Sequence, residues 1–319
     1  MHRPILLFAG ASLLAMSFGA AAAEQCRYSA PRNAELDAAG LKQLSVEIGP
    51  DDLMIHGESG LAKIVVNGTA CASNEKWLAN IKVEAQRHGD TASLVADDGD
   101  RGVVLSLFGG SYAYLKLDVR VPQSLAVKLK EGSGDARASH LASLDATLGS
   151  GDLKVNGITG ELGLRVGSGD VVAADVGSLN LSSVGSGDVS VDGVRGDAHV
   201  GGVGSGDLGL HNVTGNVSLG SISSGDAKLS GVGGSLKAES VGSGDLVVRG
   251  VKGNASVDSI ASGDVSIEQA GGSVHVGSLG SGSFGADGVG GDFSVGSVGS
   301  GDVRHHGVKG KISVPRDDD

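Results

Sequence analysis

Aspartate is the residue type that could carry chemistry in this sequence, because it recurs in a Ser-Gly-Asp triplet along more than half of the chain. Carboxylate oxygens are ligands that Ca²⁺ prefers, so a column of such residues is a candidate cation ladder. Unit charges about 5 Å apart repel by roughly 0.8 kcal/mol in water, so the column needs compensation. The candidate ladder comprises Asp135, Asp152, Asp170, Asp188, Asp207, Asp226, Asp245, Asp264 and Asp302.

A structural role competes with cation binding at these aspartates. An Asp that follows Gly in a turn accepts hydrogen bonds from nearby main-chain N–H groups, and the Ser hydroxyl can assist. The calcium-binding nonapeptide β-roll carries Gly-Gly-x-Gly-x-Asp, whereas Asp here follows Gly directly and mostly recurs every nineteen residues. We therefore favour the structural role, keep Ca²⁺ as the alternative, and expect no other cofactor.

The spacing of the triplets indicates the architecture that positions them. The aspartate slots are 17, 18 and 18 residues apart and then 19 apart six times, with Ser283 in one slot. In the unit 243–261, apolar residues fall at positions 4, 6, 9, 13, 15 and 18, so the second half repeats the first. Period-two spacing predicts short strands with one inward face, and identical columns must stack. The sequence thus predicts an all-β fold, a parallel β-helix or β-solenoid.

The composition favours a thin, repetitive core. The chain has 56 glycines and 3% aromatic residues, yet 40% of its residues are hydrophobic. Core volume therefore comes mainly from Val, Leu, Ile and Ala. We predict about ten rungs of 17–19 residues, each with two strands and tight corners, in a rod about 48 Å long at ~4.8 Å per rung. Glycines such as Gly193, Gly231 and Gly250 suit corners because they tolerate positive φ.

The chain before residue 131 lacks the triplet but keeps alternating strand patterns, as in Leu44–Ile48. We interpret it as a cap with irregular first rungs, and we predict a short helix over Asn33–Leu41 and a mobile hairpin loop over Asp97–Gly110. The predicted organisation is a signal peptide (1–23), an N-terminal cap (24–130), regular repeats (131–314) and a charged tail (315–319).

The junction between cap and repeats resembles a known family. Leu115–Pro122 ends in Val-Pro, Leu125–Leu129 follows as a second strand, and Gly132–Asp135 begins the Gly-Ser-Gly-Asp repeats. This order resembles the bacterial "putative adhesin" domain-of-unknown-function family, over roughly residues 44–314. The resemblance implies a β-solenoid with an adhesion-type role, and it supplies no catalytic residues.

The N-terminus is typical of an exported protein. Arg3, the apolar run Ile5–Phe18 and the small residues Ala21–Ala23 predict a Sec signal peptide, with a membrane anchor as the alternative. No later segment is expected to span a membrane. In an oxidising compartment Cys26 and Cys71 are most simply a disulfide, with two free thiols as the alternative. We expect a periplasmic or secreted protein.

Charge and rung length narrow the function. A net charge of −12 argues against nucleic acid and anionic membranes as partners. Rungs of 17–19 residues leave no room for the long loops that build clefts in β-helix enzymes, so we predict that the protein is not an enzyme. The scattered histidines, His199 and His275 among them, are expected at the surface.

We therefore predict a structural or adhesion-type binding protein of the cell envelope, whose partner is an envelope polymer or protein. The rival is a carbohydrate-active β-helix enzyme. A monomer is expected, because charges at the last rung oppose end-to-end stacking. Those charges are His305, His306, Lys309, Lys311 and the tail Arg316–Asp319.

Overall fold

The structure is a computed structural model that describes residues 26–97 and 112–315, and it is almost entirely β. The predicted signal peptide, nearly all of the predicted 97–110 loop and the last four residues of the charged tail lie outside the described residues.

Strands and one short helix make up the N-terminal region. They are β1 (Tyr28–Pro31), β2 (Ala34–Asp37), β3 (Gln43–Ile48), β4 (Asp52–Glu58), β5 (Lys63–Ala72), α1 (Glu75–Leu78), β6 (Lys82–His88), β7 (Thr91–Asp97), β8 (Ala113–Pro122), β9 (Ala126–Glu131) and β10 (Ala136–Ser139).

Two strands make up most rungs of the repeats, and a single 14-residue strand covers each of the rungs at 153–166 and 171–184. They are β11 (Ser143–Leu148), β12 (Leu153–Val166), β13 (Val171–Val184), β14 (Val189–Val194), β15 (Ala198–Val203), β16 (Leu208–Val213), β17 (Val217–Ile222), β18 (Ala227–Val232), β19 (Leu236–Val241), β20 (Leu246–Val251), β21 (Ala255–Ile260), β22 (Asp264–Ala270), β23 (Val274–Leu279), β24 (Ser283–Val289), β25 (Phe293–Val298), β26 (Asp302–His306) and β27 (Ile312–Ser313).

Each repeat strand pairs in parallel with the strand one rung away, so two parallel sheets run the length of the molecule. In the first sheet Leu208 pairs with Ala227, and in the second Val217 pairs with Leu236. Identical sequence positions therefore stack in register. This pairing confirms the predicted β-solenoid of about ten turns.

The core lies between the two sheets and is built from the predicted apolar columns. In the unit 243–261, all six apolar positions are at most 2% exposed. Near the C-terminal end, Phe284 and Phe293 stack with ring centroids 5.5 Å apart and fill one layer.

The N-terminal rungs do not follow the order of the sequence. Strand β3 pairs in parallel with both β7 and β9, and β4 pairs in parallel with both β8 and β10. The β7–β8 rung therefore lies outside the β3–β4 rung, although it comes later in the chain. Antiparallel strands continue beyond it, with β5 on β8, β6 on β7, and both β1 and β2 on β5.

The predicted disulfide is confirmed, and it fastens this end of the molecule. Cys26 and Cys71 are bonded, which ties the start of the described chain to β5.

The predicted helix over Asn33–Leu41 is wrong. Residues Ala34–Asp37 form β2, whose Ala34 and Leu36 pair with Val66 and Ile64 of β5. Burial alternates along β2, so a pattern too short to separate period 3.6 from period two was resolved by pairing with the neighbouring strand. The helix of the described chain is instead α1, where the Asn74 side chain accepts a hydrogen bond from the Lys76 N–H (2.9 Å).

Glycine serves two different needs at the corners. At Gly231 and Gly250 φ is +69° and +76°, as the corner prediction supposed. In the Ser-Gly-Asp triplet φ is not positive. There a Cβ on Gly244 would overlap the carbonyl oxygen of Gly225, which lies in the same position one rung earlier. The triplet glycine is therefore required by the close approach of successive rungs.

Substitution of the triplet glycine is expected to be costly. Gly244→Ala should lower the free energy of unfolding by about 2–3 kcal/mol, because the methyl group forces two rungs apart. Gly285→Ala is the matched control, since no atom lies within 4 Å of its added Cβ, and it should be neutral or stabilising by about 0.5 kcal/mol. Urea unfolding followed by circular dichroism measures both, and equal losses would contradict the close-approach explanation.

Candidate functional site

Seven of the nine predicted aspartates are acceptors in one hydrogen-bonded ladder along the Ser-Gly-Asp corner, and Asp135 and Asp302, at its two ends, are not among these acceptors. One carboxylate oxygen, Oδ1, accepts a hydrogen bond from the main-chain N–H of the residue in the same position one rung further on, at 2.9–3.2 Å. The aspartates therefore have a structural role, but their donors belong to the next rung and not to the local turn that the sequence analysis expected. The acceptors are Asp152, Asp170, Asp188, Asp207, Asp226, Asp245 and Asp264.

The ladder ends where serine replaces aspartate. Ser283 donates its N–H to Asp264 (2.9 Å), but the N–H of Asp302 donates to the carbonyl of Gly282 instead (3.1 Å). Within the described ranges, no group of three or more His, Cys, Asp or Glu side chains is arranged to hold a metal ion. Cation binding by the column stays a prediction.

A second ladder, which the sequence analysis did not identify, runs along the opposite corner. Its side chains also accept hydrogen bonds from the N–H one rung further on, at 2.7–3.1 Å. The signal was a polar residue nine positions after the triplet aspartate in most rungs. The column comprises Asp197, Asn216, Ser235, Asn254, Ser273 and Asp292, with Lys311 as the last donor.

Comparison of the two corners shows whether the ladder needs the negative charge of aspartate or only a hydrogen-bond acceptor. At the second corner Asn216 and Asn254 perform through amide oxygens what Asp performs at the first. A neutral acceptor is therefore sufficient to close a corner. We therefore expect that the fold does not require the negative charge of the triplet column.

Variants of Asp226 test this separation. Asp226→Asn keeps an oxygen acceptor for the Asp245 N–H and removes one charge from a repelling column, so stability should be unchanged or higher at low salt. Asp226→Ala removes the acceptor and should cost about 1 kcal/mol. Melting temperatures at low and high salt measure both effects.

Calcium titration of the same proteins addresses the cation alternative. We expect no binding heat and no change in melting temperature for the wild type. A heat signal that Asp226→Asn weakens would show instead that the column binds Ca²⁺ as a ladder.

Glu131 is a second feature that the repeat pattern did not reveal. It pairs with Ile48 on one side and Leu148 on the other, so it occupies an inward column that is otherwise aliphatic. It is 2% exposed, and neither carboxylate oxygen has a well-aligned hydrogen bond. The alternation from Leu125 through Leu129 already placed residue 131 on the inward face.

Burial is the main cause of an altered protonation equilibrium at this site. The pKa of Glu131 is raised to about 7, chiefly by desolvation, while a hydrogen bond from the Gly134 N–H lowers it in part and the charges of Asp135 and Asp152 add to the rise. The Glu131 carboxyl group lies near Asp135 and Asp152, at the beginning of the aspartate column. With a pKa of about 7, it titrates close to neutral pH.

The raised pKa predicts the direction of a pH effect on stability. The folded state holds the Glu131 proton more tightly than the unfolded state, so stability is greatest below about pH 4.5 and falls as pH rises to about 7. The accumulated cost above pH 7 is about 3 kcal/mol. Glu131→Leu should therefore stabilise the protein far more at pH 8 than at pH 4.5.

Glu161→Gln, at an exposed position, is the control for Glu131→Leu. It should change stability little at either pH. If urea unfolding shows the same gain for Glu131→Leu at both pH values, the carboxyl group is not buried in the protonated form.

The outward faces carry polar side chains that contact the equivalent position of the next rung. His211 and His275 hydrogen-bond to Ser230 and Ser294 (2.7 and 2.8 Å), and Arg249 pairs with Glu268 (3.1 Å). These are contacts between stacked positions, and they follow from the register. His199 lies in the same outward column as His275, four rungs away, as the spacing predicted.

No protein-family model and no curated protein matches the chain. Similar solved structures include a "putative cell adhesion protein" from Clostridium sporogenes, with 12% identity over 90% of this chain and 99% of that one and a TM-score of 0.26. A "putative adhesin" from Parabacteroides merdae has 13% identity over 91% and 97%, with a TM-score of 0.35. A "putative lipid binding protein" from Parabacteroides distasonis has 16% identity over 90% and 97%, with a TM-score of 0.31.

Two of these names match the family that the sequence motifs resemble. The superpositions are too weak to add to the case for the fold, which depends on the strand pairing. They likewise carry no information on a ligand.

Proposed function

We propose that the protein is an extracytoplasmic scaffold that binds an envelope polymer or protein through its long outer surfaces, in an adhesion-type or structural role. The observation that supports this most directly is that no long loop interrupts the outer surface of either sheet, which we call the wall, from β14 to β25. From β14 to β25, successive strands are joined by connections of three or four residues, and each side chain on the wall stacks on its equivalent in the next rung. Such a surface offers many repeated contacts along one axis.

Export is supported by the disulfide and by the predicted signal peptide. A Cys26–Cys71 bond persists in oxidising compartments such as the periplasm or the cell exterior. None of the helical segments in residues 26–97 and 112–315 has the length and apolarity needed to cross a membrane.

The rival function, a carbohydrate-active enzyme, has less support. Catalysis needs groups that converge in a water-excluding pocket. The His–Ser contacts at His56–Ser139, His211–Ser230 and His275–Ser294 repeat the same stacked arrangement on the flat faces. A geometry that recurs with the register is explained by the fold. We propose that the protein has no enzymatic activity.

The test uses the mature chain, beginning at Glu24, as bait on solubilised envelope fractions from the source bacterium. We expect specific capture of an envelope polymer or protein, and a deletion strain should lose attachment or envelope integrity. The reduced protein, unfolded before immobilisation, is the control for non-specific capture.

Two results would contradict this function. One is the absence of both capture and any envelope phenotype. The other is the release of cleavage products when the mature protein is incubated with acidic and neutral polysaccharides, which would favour the enzyme.

A further inference from the structure

A cavity lies at the corner opposite Ser-Gly-Asp. It has a volume of about 690 Å³ and is formed by four successive rungs. We call it the corner groove and define it by residues 212–214, 231–233, 250–252, 269 and 271. Four rungs span about 14 Å between the first and the last.

The shape of the groove follows from which rungs have side chains at one corner position. Gly231 and Gly250 occupy this position with positive φ and leave an open floor. Asn212 and Gln269 adopt the same backbone conformation, with φ of +57° and +61°, and their side chains bound the floor at either end. Asn212 is fixed by a hydrogen bond from its amide nitrogen to Asp192 (2.7 Å).

Two further cavities lie along the same corner towards the N-terminus. One, of about 340 Å³, is lined by His56, Glu58, Gln123 and His140, and the other, of about 580 Å³, adjoins it. Gly157 stacks on His140 in the column that later contains Gly231 and Gly250. The three cavities therefore follow one line parallel to the solenoid axis.

Arg195 lies on this line between the cavities, and its contacts show that a cationic side chain can bind to main-chain carbonyl oxygens at this corner. Its guanidinium extends back over two rungs and donates to the carbonyl oxygens of Ile158 (2.8 Å) and Asp175 (3.5 Å). Hydrogen-bond donors can therefore be seated against the main chain at this corner.

The same column is basic at every third rung. Arg195, Lys252 and Lys309 follow one another at intervals of 57 residues. Their main-chain N–H groups donate to the carbonyl oxygens of Val176, Val232 and Val289 in the preceding rungs. The cations are thus about 14 Å apart at ~4.8 Å per rung. The triplet aspartates lie at the opposite corner, and the two aspartates of the second ladder at this corner, Asp197 and Asp292, lie outside the groove lining.

We propose that the corner groove binds a linear acidic polysaccharide, which deepens and rests on the proposed binding function. Lys252 pairs with a carboxylate of the polymer. Thr214, Gln269 and the amide oxygen of Asn212 hydrogen-bond to sugar hydroxyls, and the glycine floor lets the chain lie close to the main chain.

Two other polymers fit the groove less well. An extended peptide would need an unpaired strand edge, but the N–H groups of Gly233, Lys252 and Gly271 already donate to the preceding rung. Single-stranded nucleic acid binds by stacking its bases on aromatic side chains, and the groove lining contains none.

Binding of polygalacturonate or alginate to the mature protein, measured by calorimetry or biolayer interferometry, tests the proposal. We expect binding that weakens as NaCl is raised, and about fivefold weaker binding for Lys252→Gln. Thr214→Trp, which keeps the charge and fills the groove, should weaken binding at least as much. The matched control is Lys228→Gln, an exposed lysine on the flat face, which should bind as the wild type does.

The possible outcomes distinguish polysaccharide binding in the corner groove from the broader adhesion-type function. Equal losses for Lys252→Gln and Lys228→Gln would show that general charge, not the groove, attracts the polymer. Wild-type binding of neutral dextran, a peptide or an oligonucleotide in place of the uronates would overturn the groove assignment and leave the adhesion-type function standing. Failure to bind any envelope component would overturn both.

Discussion

Main-chain hydrogen bonding between successive rungs, in register, is the interaction on which the rest of this structure depends. A parallel ladder fixes the distance between rungs and places identical sequence positions one above another. Each side chain therefore has its own equivalents as neighbours on both sides. Column by column, the sequence must be compatible with contact between like residues, which explains why the aliphatic columns hold Val, Leu, Ile and Ala.

The corners show how strictly this spacing acts. The triplet glycine is needed because the carbonyl of its equivalent one rung earlier occupies the place of a side chain. The polar residue beside it completes the ladder by accepting the next N–H. Both corners use this device, and at one of them Asn, Ser and Asp are interchangeable. The fold therefore needs a hydrogen-bond acceptor at each corner. Aspartate in nearly every rung of one corner adds negative charge beyond that need.

Glu131 is an exception to the stacking of like residues, because it is a carboxylic acid in a column of aliphatic side chains. Its position in an aliphatic column places a carboxyl group in a site without a well-aligned hydrogen-bond partner, and its pKa is raised to about 7, chiefly by desolvation. It lies at the junction between the reordered N-terminal rungs and the regular repeats. The two corners likewise differ in charge, since one bears aspartate in nearly every rung, whereas the other has Asp197 and Asp292 among neutral ladder residues and bears a cation at every third rung beside an open groove.

The sequence by itself determined the solenoid, the two strands of most rungs and the inward columns. These follow from local periodicity and spacing, since residues 19 positions apart can only stack if the chain coils at that period. The disulfide pair followed from a different signal, namely two cysteines in a chain with a predicted export signal. It also identified the aspartate column, but not its hydrogen-bond partners, because these are main-chain groups without a signature of their own.

Only the tertiary structure decided the order of the N-terminal rungs. The β7–β8 rung lies outside β3–β4 through long-range pairing, and local pattern does not encode which side of a rung a later strand joins. The same holds for β2, which is a strand because β5 offers a partner. The corner groove arises in the same way, because glycine, asparagine and glutamine at positions far apart in the chain become its floor and its ends only when four rungs are stacked.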